Sequence, residues 1–578
     1  MPNIPIFDGF TALPGGMNEA RKPTLISETQ FAKGINVAVR GGYASTRPAF
    51  VKEYVSNMPT NATFQGAGVW RLNSNDYIVF VASGRLYTVN VSTLQLVQHG
   101  EFFSATAQCF FEQVDKYMVA QDGNDDARVL EDIGGVPTLV ASHDIPTGTI
   151  MKYAHGRIHM VPDVVPGTAL NGKPYFLSGD VLSPLSPSNV LKFDENTYLN
   201  GGGAHSLPLE MGYINGLGVF RNAQTGTGLG ELVVLGKRGV SAFDMSLPRD
   251  QWAEQPLSRV LFFGPGTLSP WSVIPVNDDL AYRALDGLRL IRYTASRVAG
   301  SSGSLSNTPM SREIHTFVER QDLDYLAFVS STVFDNRLVF TVEGVDDRYF
   351  KGIASLDTAV LYDNSGTSSP SYDGIWTGLK VGQLYRVDDT AVRDEYAEAE
   401  TWDDPEKEPT AEQLAALDDG VCEIESILVS RSLKGGDEYN RKLFKFVELW
   451  VSELKVSTEV EVLFRPVHYP LWTSLGTKDI AVGEGSLPQT RRKLRFSLDS
   501  FTNKCDPSIK ESLWSAYSFQ IMLKWKGNME INSLRIVMEA VPEPNPNQCA
   551  AETAVVLDAS DTAGIVVDDF EYVIGEGA

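Results

Sequence analysis

Short apolar runs separated by glycine recur along this chain. Asp76-Tyr77-Ile78-Val79-Phe80-Val81-Ala82 leads through Ser83-Gly84 into Arg85-Leu86-Tyr87-Thr88-Val89. β-Branched and aromatic residues dominate both runs, and the glycine supplies the positive φ that a tight hairpin turn requires. The pattern returns at 116–120 before Asp122-Gly123, at 151–155 before Gly156, and at 232–235 before Gly239. It returns again at 280–283 before Asp286-Gly287 and at 329–334 before Asp335-Asn336. The turn positions 84, 123, 156, 239, 287 and 336 lie 39, 33, 83, 48 and 49 residues apart, several near the ~40–50 residues of a propeller blade. Each hairpin is apolar on both faces, so it must stack against neighbours. A ring of small antiparallel sheets meets that need with few open edges. A β-sandwich made from the same hairpins is the alternative. The 83-residue interval contains Pro- and Gly-rich sequence, including Asn200-Gly201-Gly202-Gly203, which predicts an irregular or decorated blade.

A second β region follows. The runs 459–465, 493–498, 517–525 and 531–538 alternate apolar and polar residues, and 444–451 alternates in part. Strands of this length over about 115 residues predict a β-sandwich. Between the two regions, Thr410-Ala411-Glu412-Gln413 resembles a capping box ahead of a short helix from Ala411 to about Asp418, with Gly420 at its end. The expected fold class is therefore all-β: an irregular β-propeller-like body with an extended N-terminal arm and a C-terminal β-sandwich domain. The expected boundaries are an arm over 1–60, the propeller-like domain over 61–387, an acidic insertion or linker with a short helix over 388–425, the sandwich over 426–541 and an acidic tail over 542–578.

Charge sharpens this division. The net charge is −24, yet residues 388–425 carry 15 acidic and 2 basic side chains and residues 551–578 carry 7 acidic and no basic ones. The acidity belongs to those two segments. It opposes tight nucleic-acid binding, which needs Lys and Arg to displace phosphate counterions. It does not oppose a surface that DNA slides past. No run approaches ~18 apolar residues, so no membrane span is expected. The opening MPNIPIFDGF lacks a basic stretch followed by an apolar one, so no secretory signal is expected. Cys109, Cys422, Cys505 and Cys549 share no metal-binding spacing and read as incidental thiols.

The search for chemistry yields no catalytic, cofactor-binding or metal-ligating residues. Gly167-Thr168-Ala169-Leu170-Asn171-Gly172-Lys173-Pro174 approaches a phosphate-binding loop, but Pro174 replaces the hydroxyl residue and Tyr175-Phe176-Leu177 reads as a strand. Asp122-Gly123-Asn124-Asp125-Asp126-Ala127 lacks the glycine and the distal glutamate of a calcium loop and reads as a solvated turn. Ser371-Tyr372-Asp373-Gly374-Ile375-Trp376 resembles a single, shortened Asp-box turn. Among the histidines 99, 143, 155, 159, 205, 315 and 468, only His155 and His159 are close, and Gly156 between them favours a strand pair over a helical metal face. The basic run Arg491-Arg492-Lys493-Leu494-Arg495 reads as a solvated or inter-subunit strand face, with DNA contact as a minor alternative. Acid pairs suited to glycoside hydrolysis remain open at this level, because spatial separation is invisible in sequence.

The arm carries the most specific pattern: Gly15-Gly16, Pro23, Ile26, Gln30-Phe31-Ala32, Asn36-Val37, Arg40-Gly41-Gly42 and Thr46-Arg47-Pro48. Locally it reads as an extended lead-in, a short helix N-capped by Ser27, a strand, a Gly turn and a Pro stop. The series resembles the N-terminal signature of the tail nozzle (tail tubular protein B, or tail hub) family of short-tailed bacteriophages. Lys152-Tyr153-Ala154-His155-Gly156-Arg157-Ile158 with Tyr175-Phe176-Leu177-Ser178, and Asp279-Leu280-Ala281-Tyr282-Arg283-Ala284-Leu285-Asp286-Gly287, are similar to further family segments. The resemblance covers roughly residues 12–390, with a weaker likeness in the C-terminal β region. Ala49 departs from the glycine that often follows Arg-Pro there.

The resemblance implies a non-enzymatic structural virion protein without cofactors, made in the host cytoplasm and located in the tail. It implies a hexameric ring at the distal end of the tail, contact with a tail adaptor protein, lateral support of fibres or spikes, and passage of genomic DNA without sequence-specific binding. Residues 388–425 would face the lumen or the end of the ring, where like charge keeps DNA from sticking. The competing readings are a receptor-binding or glycan-cleaving β-propeller tail protein and a propeller-type interaction scaffold of cellular origin.

Overall fold

The computed structural model describes residues 5–541 apart from short gaps and the longer segments 164–173, 195–202, 221–229, 295–308, 358–370, 378–383, 395–421, 482–491 and 498–513, together with strands at 564–567 and 570–573. The fold is all-β, and among the described residues the helical segments between strands are short. Two compact units divide the chain. Pro48–Glu423 forms one, and Met1–Arg47 together with Ile424–Ala578 forms the other.

The N-terminal segment contributes β1 Pro5–Phe10, β2 Gly16–Met17, β3 Gln30–Ile35, β4 Val37–Arg40 and β5 Tyr43–Thr46. The expected Gly turn is present: β4 and β5 pair through Gly41 and Gly42, both at positive φ. The helix expected after Ser27 is not. A 3₁₀ turn at Pro23–Leu25 precedes Ser27, whose hydroxyl lies 3.3 Å from that of Thr29, and β3 begins at Gln30. Ser430, far along the chain, pairs with Phe31 and holds the backbone extended, so tertiary pairing overrides the local cap signal.

The Pro48–Glu423 unit opens with β6 Ala49–Glu53. Six antiparallel sheets of described strands then follow in chain order. The first is β7 Phe64–Arg71, β8 Asp76–Ala82, β9 Arg85–Asn90 and β10 Leu96–Glu101, and the second is β11 Phe110–Val114, β12 Tyr117–Gln121, β13 Arg128–Ile133 and β14 Val136–Leu139. The third is β15 Gly148–Ala154, β16 Arg157–Pro162, β17 Tyr175–Ser178 and β18 Ala204–Ser206, and the fourth is β19 Ile214–Phe220, β20 Glu231–Gly236, β21 Gly239–Phe243 and β22 Ser258–Phe263. The fifth has β23 Ile274–Val276, β24 Asp279–Ala284 and β25 Gly287–Leu290, and the sixth β26 Ser331–Phe334, β27 Arg337–Asp346, β28 Tyr349–Asp357 and β29 Ser371–Thr377.

Each of the six turns read from sequence lies in its own sheet. The irregular spacing has two causes. Loops on either side of β17 lengthen the third sheet, and the turns at Gly156 and Asn336 join first to second strands whereas the others join second to third. A single sandwich is set aside, because these strands group into successive small sheets in chain order.

The two-sided strands bury both faces. In β12, Tyr117 and Val119 enter a core shared with the third sheet, while Met118 and Ala120 enter a core shared with the first. In β20, Leu232 and Val234 point to one core and Val233 and Leu235 to the next. The first strands of successive sheets pack against one another, from β7 through β11, β15, β19 and β23 to β26. This is the inner rim of a propeller-like body. Close approach there needs small residues: a Cβ on Gly68 would lie 2.5 Å from Cβ of Phe111 in the next sheet. Phe110 of the second sheet stacks at 4.9 Å on Trp271, in the turn that precedes the fifth, so an aromatic pair links these non-adjacent sheets. The unit's ends meet as well. The last strands are β30 Leu384–Asp388, β31 Arg393–Asp394 and β32 Cys422–Glu423; β6 pairs with β30, and β31 with β32.

The other unit adds β33 Glu425–Ser430, β34 Lys442–Ser452, β35 Thr458–Pro466, β36 Thr473–Ile480, β37 Arg492–Ser497, β38 Ser515–Ala516, β39 Phe519–Lys526 and β40 Glu530–Ala540. One sheet runs β37-β34-β40-β5-β4, with β1 also on β40; another runs β3-β33-β39-β35-β36, with β2 beside β3. Phe444 of the first stacks on Phe464 of the second at 4.6 Å and meets Phe519 at 5.6 Å. Nε1 of Trp525 in β39 donates to Oγ1 of Thr46 in β5 at 2.9 Å. The arm is thus structural: β1 to β5 complete both sheets. Farther along, β41 Gly564–Val567 and β42 Phe570–Val573 form a hairpin. The helix expected from Ala411 lies outside the described residues. Among the described residues, no helix is long and apolar enough to cross a membrane.

Asp8 locks the arm in place. Its carboxylate accepts from Nη2 of Arg431 at 2.6 Å and from the backbone N–H groups of Lys434 and Gly435 at 2.7 and 2.8 Å. Both ion-pair partners are about nine-tenths buried. Asp8→Ala strands the guanidinium and is expected to cost about 3–5 kcal/mol in chemical unfolding, whereas Arg85→Ala, which removes an exposed pair with Glu101, costs under ~1 kcal/mol. Equal effects would contradict this. Gly68→Ala overpacks the inner rim and is expected to cost about 1–3 kcal/mol, read as a lowered melting temperature.

Candidate functional site

The structure disposes of several sequence candidates. Asp122 serves as a turn brace: Oδ1 accepts the N–H groups of Asn124 and Asp125 at 2.9 Å each, and Oδ2 that of Ser104 at 3.1 Å. That carboxylate is buried and committed to backbone donors, while Asn124, Asp125 and Asp126 are exposed. Tyr175-Phe176-Leu177 is a strand, as expected; residues 167–173 of the near phosphate loop lie outside the described residues. Ser371–Thr377 is strand β29. His468, Arg491, Cys505 and Cys549 lie outside the described residues, and Cys109 is a buried thiol. Arg492, Lys493 and Arg495 lie on β37, where Lys493 stands 5.2 Å over the ring of Trp450 and Arg495 3.6 Å over that of Phe446.

The histidines converge more than their spacing suggests. His155 takes a positive φ in the hairpin turn, and its ring centroid lies 6.4 Å from that of His159. His205 on β18 joins them through Phe176, whose ring lies 6.1 Å from His159 and 5.0 Å from His205. His159 Nε2 lies 3.3 Å from the Ala154 carbonyl and Nδ1 2.8 Å from Ser178 Oγ. A carbonyl can only accept, so Nε2 carries the proton and Nδ1 accepts the serine hydroxyl. Burial, reinforced by His155 and His205, holds His159 well below its ordinary value. Burial and then Arg157 bring His205 to about 4. His159 and His205 are therefore neutral at physiological pH, and the ring of His205 packs against Phe243 and Trp252. Among the described residues, no three His, Cys, Asp or Glu groups are placed to hold a metal.

A cavity of about 380 Å³ lies in the unit formed by the chain's two ends, on the outer face of the β3-β33-β39-β35 sheet. Ala32, Ile427, Val429 and Met522 line it with apolar surface, and Trp472 adds an aromatic wall. A register shift between Phe31 and Lys33 lets both Ala32 and Lys33 face the cavity. Arg465 lies 4.3 Å over the Trp472 ring, and its Nε and Nη2 donate to Gln520 Oε1 at 3.1 and 2.8 Å. Gln520 is fixed in turn by donation from Nε2 to the Ser430 carbonyl at 3.1 Å. Burial lowers the guanidinium from its ordinary value, yet a guanidinium stays charged at neutral pH. Arg21, Lys33 and Glu19 complete the charged lining. Sequence reading missed this site because its walls come from segments hundreds of residues apart; Pro23 and Ala32 belong to the arm's series, but nothing in that series marks a cavity.

No protein-family model and no curated protein matches the chain. Among solved structures, it is similar to the extracellular domain of the putative one component system BT4673 from B. thetaiotaomicron, with 9% identity and a TM-score of 0.30, covering 54% of this chain and 38% of that one. It is also similar to BBS1N from a complex with ARL6DN, with 10% identity and a TM-score of 0.25, covering 43% and 73%. The chain therefore spans little more than a third of the first of these structures. Likenesses this weak carry no functional argument.

Two buried histidines set a pH response. The folded-state pKa values of His159 and His205 are depressed, so below about pH 6.5 the unfolded chain binds protons that the folded chain refuses. Their share of stability is complete above 6.5 and falls away as pH drops towards 4. For His205 alone this amounts to on the order of 3 kcal/mol. His205→Phe, in a slot already lined by Phe176, Phe243 and Trp252, is expected to flatten the melting temperature between pH 7 and 4.5 relative to the parent. Parallel curves for the two proteins would count against it.

Proposed function

We propose that this chain is a structural, non-enzymatic virion protein of a short-tailed bacteriophage, a subunit of the distal tail nozzle ring. The observation that carries the reading is the N-terminal series from Gly15 to Pro48, which resembles that family's signature. Part of this series supplies β3, β4 and β5, which join both sheets built from the chain's two ends; a structural role for these residues supports the reading.

The propeller-like body adds a geometric argument. Phe110 of the second sheet stacks on Trp271 beside the fifth, a contact between its inner elements that supports placing the conduit between copies. A conduit enclosed between copies suits a ring of several chains. In this reading the ring is hexameric, meets an adaptor on one side and supports fibres or spikes laterally. The acidic segment fits a lumen or ring end, since like charge prevents DNA from condensing there. Its flanks are the paired strands β31 and β32, and residues 395–421 lie outside the described part.

Mass photometry and negative-stain imaging of the full chain test this. The expected result is a ring of six copies with a central opening. A monomer at micromolar concentration that cleaves glycans would overturn it in favour of a tail hydrolase.

A further inference from the structure

We propose that the cavity beside Trp472 is the docking site for this polypeptide's own acidic C-terminal sequence Glu552-Thr553-Ala554-Val555-Val556-Leu557-Asp558, which lies outside the described residues. Such docking neither requires the tail-nozzle reading nor follows from it.

The cavity sets three chemical demands. Its floor, formed by Ala32, Val429 and Met522, asks for apolar side chains. Its rim carries Arg21, Lys33 and Arg465 beside one acid, Glu19; Lys33 and Glu19 have partners of their own, and the two arginines ask for carboxylates. Arg465 has donors to spare: both of its hydrogen bonds go to one oxygen of Gln520, and Nη1 makes none within the described residues. Asn18 sets the third demand. It is 3% exposed, lines the cavity, and its Oδ1 has no partner.

The orientation of Asn18 is fixed. Gln30 donates from Nε2 to the Gly15 carbonyl at 3.2 Å, which leaves Gln30 Oε1 to accept from Asn18 Nδ2 at 3.1 Å. The oxygen left over can only accept, so the occupant must supply a donor. An extended peptide has backbone N–H groups. A fatty acid or a simple carboxylate has none.

The acidic C-terminal sequence offers these properties; its run Ile565-Val566-Val567 beside Asp568-Asp569 is already paired in β41 and β42, which leaves the run before it. Residues 551–578 hold seven acidic and no basic side chains, and within them Val555, Val556 and Leu557 stand between Glu552 and Asp558. Charge complementarity with the basic rim and apolar matching to the floor follow together. The tether is long enough. Twelve residues lie between Val541, the last described position after β40, and Ala554, and this length spans up to about 45 Å, comparable to the width of a domain of this size.

Site-specific photocrosslinking tests the assignment. A benzophenone amino acid replaces Val556 in the full chain, and mass spectrometry maps its partners. The expected adducts are on the peptides that contain Trp472 or Met522. Adducts at monomer mass mean docking within one chain, and adducts at dimer mass mean docking on a second copy; both support the site. Leu557→Asp, which leaves the cavity untouched, and Arg21→Glu on its exposed rim should each cut the adduct yield about tenfold. Adducts confined to other peptides, or a yield indifferent to both substitutions, would overturn the proposal.

Discussion

Strands without a polar face govern the body of this protein. A strand such as β20 offers water nothing on either side: Leu232 and Val234 serve one core, Val233 and Leu235 another. A sheet of such strands is unstable with only one face covered, so every sheet needs a neighbour on each side. Repeating that requirement curves the row of sheets into a propeller-like body. The inner strands then crowd one another. Gly68 relieves the crowding between the first two sheets, and the Phe110–Trp271 stack links the second sheet to the turn before the fifth.

A different constraint shapes the second unit. Its sheets use strands from both ends of the chain, so it cannot be completed until the last of them has been made. Asn36 donates to the carbonyl of Glu425 across 389 positions, and Asp8 reaches Arg431 across 423. Contacts this distant carry a large loop-closure cost and slow the search for the native pairing. The inserted body reduces that cost. Its own first and last strands, β6 and β30, are paired, so once it folds it presents its two chain ends side by side. The ion pair and backbone donors around Asp8 then hold the first strand against the late-made ones.

The polar interior is divided between two roles. His159 and His205 in the third sheet are held neutral inside an apolar and aromatic setting, with His159 bonded through both ring nitrogens. They furnish shape and hydrogen bonds to the core, at the cost of sensitivity to acid. The cavity between the arm and the outer sheet face keeps its cations charged beside apolar walls, and Asn18 Oδ1 has no partner there. Nδ1 of His155 and Nε2 of His205 also lack partners, but the His205 ring packs against Phe176, Phe243 and Trp252, whereas Asn18 lines an open cavity. That room beside Asn18 is why recognition is expected at the cavity.

Much of this was legible in the residues themselves. Alternation and glycine turns are local properties, so the hairpins at 84, 123, 156, 239, 287 and 336 could be read directly, and apolarity on both faces already required stacked sheets. Local signals failed where distant partners decided. Ser27 reads as a helix cap, yet β3 forms because strand β33 supplies its hydrogen bonds. The arm reads as an extension, yet it is the framework of a unit whose other half lies after residue 423. The cavity was beyond reach for the same reason: Asn18, Arg465 and Gln520 become neighbours only when strands from both ends of the chain pair, and no local pattern records which strands those will be.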